Sequence, residues 1–138
     1  MSCKNLYEVI WTVQCDDSVT TTSINQDGSH VVCGGLDKKV TMLNFRTGEK
    51  LWTVQRKGWV YTTSISADGA HVVCGGDNKV SILNARTGEE LCKVKCNDSV
   101  YTASITPDGS FIIYGVKNSV YCIKNPLYKG KPTKAAQR

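Results

Sequence analysis

Apolar and polar positions alternate with a period of two along most of the chain, in short β-branched runs closed by Asp-Gly, Gly-Gly and Thr-Gly-Glu. Such alternation predicts half-buried antiparallel strands, and no stretch carries the 3.6-residue stripe of a helix of useful length. Strands are expected at Val19–Ile24, His30–Cys33, Val40–Asn44 and Leu51–Gln55, again at Val60–Ile65, His71–Cys74, Val80–Asn84 and Leu91–Lys95, and then at Val100–Ile105, Phe111–Tyr114 and Val120–Lys124. The first strand of each group is rich in Thr and Ser, small residues suited to an inner strand where neighbouring sheets converge. In the turns after it, Asp27, Asp68 and Asp108 can bond their own backbone and the following Gly accepts a positive φ. The Gly of Thr-Gly-Glu takes the left-handed position of a hairpin leading to the outer strand.

The groups are copies of one another. SVTTTSINQDGSHVVCGGLDKKVTMLNFRTGEKLWTVQ from Ser18 recurs as WVYTTSISADGAHVVCGGDNKVSILNARTGEELCKVK from Trp59, and a third copy runs from Ser99 to Asn125. The three Asp-Gly pairs stand 41 and 40 residues apart. A four-stranded antiparallel unit repeating at that interval is the signature of a β-propeller blade. The ends run out of phase with the repeat. Residues 8–14 match residues 49–55, so the chain opens with an outer strand, expected at 9–14, that no blade precedes; the third copy ends after its third strand. Twelve strands, or three blades, are expected over residues 1–124, followed by a flexible basic tail at 125–138.

Propellers usually have 4 to 8 blades, so three predict a ring completed by a second chain. Two copies about a two-fold axis would make six blades, the strand bearing Ile10, Trp11 and Val13 of each completing the last blade of the other and covering edges that would otherwise template aggregation. A fragment, or one arc of a heteromeric ring, is the alternative.

Charge excludes less than the net value of +5 suggests. Residues 1–123 balance twelve Lys/Arg against twelve Asp/Glu, so the excess lies in residues 124–138, at Lys124, Lys129, Lys131, Lys134 and Arg138. The body has no net field to steer toward nucleic acid. No apolar run approaches the roughly 20 residues of a membrane-spanning helix, and the start lacks the pattern of a secretion signal. The seven cysteines form no Cys-x-x-Cys pair and read as small core hydrophobes in a reducing compartment, the cytoplasm.

The Asp-Gly, Gly-Gly, Val-x-x-Leu-Asn and Thr-Gly-Glu-x-Leu-Trp sequence over residues 6–124 resembles the repeat of pyrroloquinoline-quinone-like propellers, and the 40-residue spacing with its turn Asp resembles the WD-repeat. The quinoprotein resemblance implies a docking role for Trp11 and Trp52, with Cys92 at that place in the next copy.

No catalytic constellation emerges. His30 and His71 hold equivalent places in successive blades and so diverge around the ring; Asp27, Asp68 and Asp108 are explained by their turns; Ser23, Ser64 and Ser104 have no histidine beside them in the pattern. No cofactor or metal is expected. The variable loops carry the remaining promise: Asp16 and Asp17, Arg56 and Lys57, Asn97 and Asp98 before the inner strands, with Asp37, Lys38, Asp77, Asn78 and Lys117 in the turns after the second strands. These share one face of a propeller, with Trp59 as its best anchor. The expected function is a non-enzymatic scaffold binding a protein partner. The alternatives are a fragment of a quinoprotein-like oxidoreductase and a tail-mediated binder of nucleic acid or acidic membrane.

Overall fold

A computed structural model describes residues 6–130. Among them eleven strands and no helix occur: β1 (Val19–Ile24), β2 (His30–Gly35), β3 (Lys39–Asn44), β4 (Lys50–Gln55), β5 (Val60–Ile65), β6 (His71–Gly76), β7 (Lys79–Asn84), β8 (Glu90–Lys95), β9 (Val100–Ile105), β10 (Phe111–Val116) and β11 (Ser119–Lys124). They form antiparallel meanders in sequence order, two of four strands (β1–β4, β5–β8) and one of three (β9–β11).

Two expectations are modified. The Gly-Gly pairs do not close the second strands but lie inside them, Gly35 pairing with Val19 and Gly76 with Val60 across a bulge in each inner strand. Gly34 also leaves room for the next blade, since a Cβ there would lie 2.5 Å from Val60 Cγ1. The outer strand expected at 9–14 belongs to no sheet. A strand needs a ladder partner, and among the described residues no third strand stands beside this one.

The blades stack through two apolar layers. Val32, Val40 and Met42 of the first meet Val60, Val72, Cys74 and Leu83 of the second, with Trp52 and Val54 of β4 packed on them. Val73, Val80 and Ile82 meet Val100, Ala103, Ile112, Tyr114 and Val116 in the same way. In the middle blade the period of two therefore serves both cores, one face per neighbour.

The polar inner strands do more than save space. The Thr21 hydroxyl lies 3.0 Å from that of Thr63 and accepts the Thr63 backbone N–H at 2.9 Å, while the Thr20 hydroxyl donates to the Val60 carbonyl. One blade on, Thr62 Oγ1 accepts the Ala103 N–H at 3.2 Å. Inner-strand edges that would otherwise expose bare peptide groups are thus stitched to the next blade by side-chain hydroxyls.

Candidate functional site

The turn after β2 and the loop after β4 meet at one end of each sheet, because a meander returns its second and fourth strands to the end where the first begins. Lys38 C=O accepts the Arg56 N–H at 2.6 Å, and Asn78 C=O accepts the Cys96 N–H at 2.8 Å. Lys38, Asn78 and Lys117 adopt positive φ of 65°, 52° and 54° to make these turns.

The structure gathers the sequence-derived residues there blade by blade. Asp16 pairs with Lys39 at 2.6 Å, which lowers the Asp16 pKa and raises that of Lys39. Asp17 Oδ1 accepts the Ser18 N–H at 2.7 Å, and Asp37 Oδ1 accepts the Lys39 N–H at 3.1 Å. In the third blade Asp98 accepts the Ser99 N–H at 2.7 Å and pairs with Lys117 at 3.4 Å; the backbone bond, then the lysine, lowers its pKa. Lys57, Asp77 and Asn97 are exposed, and the Asp77 carboxylate lies over Gly58, where any Cβ would strike it.

Trp59 is half exposed and stands edge-on to Tyr61 at 6.1 Å between centroids; Tyr61 in turn lies 4.7 Å from Tyr101. These rings form a row at the inner margin of the edge, next to Asp77, and burial first, then Asp77, raises the Tyr61 pKa.

Arg56 is placed differently from its loop neighbours. Its guanidinium turns inward across the blade boundary, donating to Ser81 Oγ at 2.6 Å and to Glu90 Oε1 at 2.9 Å, with its side chain only 12% exposed. Burial raises the Glu90 pKa, but the bonds from Arg56 and Ser81 outweigh it and bring the net value down. Sequence reasoning missed Ser81 and Glu90. Their only signal was the coincidence of a long cation after one outer strand with an acid in the next.

The strand-like segment before the first blade is seated like β4. Trp52 Nε1 donates to the Ala85 carbonyl at 2.8 Å with its ring over Gly88, and Trp11 Nε1 donates to the Phe45 carbonyl at 2.6 Å with its ring over Gly48. Trp11 and Val13 are half buried while Ile10, Thr12 and Gln14 are exposed, the alternation that β4 also shows. The segment therefore holds the place of an outer strand in a blade preceding the first.

The two end faces of the arc are uncovered copies of the internal interfaces. Val40 and Val80 are 0% exposed but their equivalent on β11, Val120, is 80% exposed; Val60 and Val100 are 3% and 0% exposed but Val19 is 50% exposed. Cys122 lies open on β11 for the same reason.

At the opposite edge, Ser29 Oγ lies 2.6 Å from Asp27 Oδ1 and 2.7 Å from His30 Nδ1. The serine, not the histidine, is central here, and Asp27 also accepts the Ser29 N–H at 3.0 Å, so the cluster closes the turn. In the second blade Asp68 accepts from Ser66 Oγ at 2.6 Å and from the Ala70 N–H at 3.0 Å beside His71 without any such serine. Residues 125–130 pack on the β9–β10 turn through the Asn125 side chain, which donates to Gly109 C=O at 2.8 Å; residues 131–138 lie outside the described residues. Among the described residues no three His, Cys, Asp or Glu side chains converge as metal ligands, and no helix is long and apolar enough to cross a membrane.

Comparison with known proteins agrees with this geometry. No match is found among curated proteins. Among the solved structures that share the fold are U3-55K and the WD40 repeats of RRP9, each with a TM-score of 0.70 and 17% identity over 74% of this chain. The matched part is 34% of the first and 33% of the second, so the chain spans about a third of their length. A sequence model described as the outer membrane protein assembly factor BamB, of the pyrroloquinoline-quinone-like repeat type, matches residues 8–124. The chain belongs to that propeller-repeat family.

Proposed function

We propose that this chain is a non-enzymatic scaffold: two copies close a six-bladed ring, and the edge carrying Asp16, Asp17, Lys57, Trp59, Asp77, Asn97 and Asp98 docks a protein partner in the cytoplasm. The observation that carries it is the pair of end faces. Val120 and Val19 occupy places that are buried at both internal boundaries, so the open face of the third blade and that of the first are complementary halves of one interface. A second copy offers both halves at once, and its 9–14 segment supplies the outer strand that β11 lacks. The WD40 neighbours favour the interaction role, and the thiols suit a compartment that keeps them reduced.

A photo-crosslinking residue placed at position 59, and another at position 26 on the opposite edge, tests the docking edge in cells. The scaffold reading expects protein adducts from position 59 and none from 26. Equal labelling from both, or none from 59, contradicts it.

A further inference from the structure

Cys15 ends the docked segment and holds the repeat position of Arg56 and Cys96. At each boundary that position reaches the second and third strands of the following blade. Arg56 reaches Ser81, the register partner of Cys74, and Cys96 lies against Tyr114. At the first blade the residue met is Cys33: the two cysteines line one narrow cleft with Thr41 and Lys39. Among the described residues, thiol meets thiol at this boundary position only in the first blade.

We propose that Cys15 and Cys33 form a dithiol site that a small-molecule disulfide oxidises to an intramolecular bond, stapling the 6–15 segment to β2. The more accessible Cys15 gives its proton to solvent and attacks the disulfide, forming a mixed disulfide and expelling one small thiolate. The Cys33 sulfur, deprotonated in turn, attacks the Cys15 sulfur and expels the second. Two protein thiols are oxidised, one small disulfide is reduced to two thiols, and these take up the two protons. Burial, then Cys15, pushes the Cys33 thiol up to about 11, so little of it is ionised at neutral pH and the second step depends on its closeness to the Cys15 sulfur.

The staple replaces with a covalent bond what Arg56 does by hydrogen bonds one blade on. It fixes a segment otherwise anchored through Trp11 and so sets the outer strand in place. On the ring reading, and only there, oxidation also strengthens association, because the segment that completes a neighbouring blade is ordered beforehand.

The full chain equilibrated with reduced and oxidised glutathione, then denatured, alkylated and mapped by mass spectrometry, tests the site. The titratable thiols should fall from seven by two, with one cross-linked peptide joining Cys15 to Cys33. Cys15→Ser, at a half-buried position, should keep all of its remaining thiols, whether or not Cys33→Ser folds. A stable glutathione adduct on Cys15, loss of thiols only to a bond between Cys122 residues of two chains, or full retention of thiols would each overturn the proposal. Light scattering of the same samples separates the two readings: a Cys15–Cys33 bond without any dimer leaves the staple standing and removes the ring.

Discussion

Alanine at the repeated third-strand valine separates a covered blade face from an open one. Val40, Val80 and Val120 are the same residue in three blades, yet the first two are wholly buried and the third is 80% exposed. Val→Ala removes two carbons, about 1.6 kcal/mol of transfer free energy at ~0.8 kcal/mol each. The residual cavity brings the cost at Val80 to roughly 2–3 kcal/mol, a fall in Tm of about 10 °C for a domain of this size. In an isolated chain Val120→Ala should cost about a fifth of that, roughly 0.5 kcal/mol. If a second copy covers this face, each of the two interfaces of the ring loses about 2 kcal/mol, and association weakens roughly a thousandfold at 1.4 kcal/mol per decade. Sedimentation across a concentration series reads the dissociation constant, and calorimetry reads Tm. A Val120→Ala chain that dimerises within threefold of the parent, while Val80→Ala melts early, would refute the equivalence of the two faces.

Three further outcomes follow from the geometry. Arg56→Ala removes two charge-assisted bonds across the first boundary, and partial exposure of Glu90 (34%) holds the cost to about 1–2 kcal/mol by denaturant melting, whereas Lys39→Ala, at the exposed Asp16 pair, should leave the midpoint unchanged. Gly88→Ala should destabilise more than Gly28→Ala, because both have positive φ but only at Gly88 would the Cβ meet Trp52, at 2.7 Å, with nothing within 4 Å at Gly28. Asp68 and Glu90 have lowered pKa values, from Ser66 and Ala70 in one case and from Arg56 and Ser81 against burial in the other, so their stabilisation is full above the unfolded carboxylate range and is lost as pH falls through the folded values. Acid melts of Asp68→Asn should therefore show a shallower loss below pH ~4 than the parent.

Alternation is plain in the outer strands β4 and β8, whereas β2, β3, β6 and β7 are buried on both faces and were legible as short β-branched runs between turns; the Asp-Gly and Thr-Gly-Glu turns declare their positive φ locally, and Gly28, Gly48, Gly69, Gly88 and Gly109 all adopt it. The Gly34-Gly35 pair misled because an unfolded reading sees only two flexible residues, whereas their need is for closeness to β5 and for a bulge opposite Val19. Arg56 read as a loop cation since nothing local distinguishes it from Lys57; its inward turn depends on Ser81 and Glu90, 25 and 34 residues away. The shared end of the loops followed from topology once the meander was recognised, and Trp11 could be matched to Trp52 by alignment. Its hydrogen bond to Phe45, made without any sheet around it, depends on how blades stack.

The ring is tested most directly by its mass in solution. Light scattering of the full chain over a dilution series should give a value near twice 15.1 kDa that falls toward 15.1 kDa as the concentration drops. A mass of 15.1 kDa at every concentration would contradict closure by a second copy and leave the open faces of the first and third blades to a different chain.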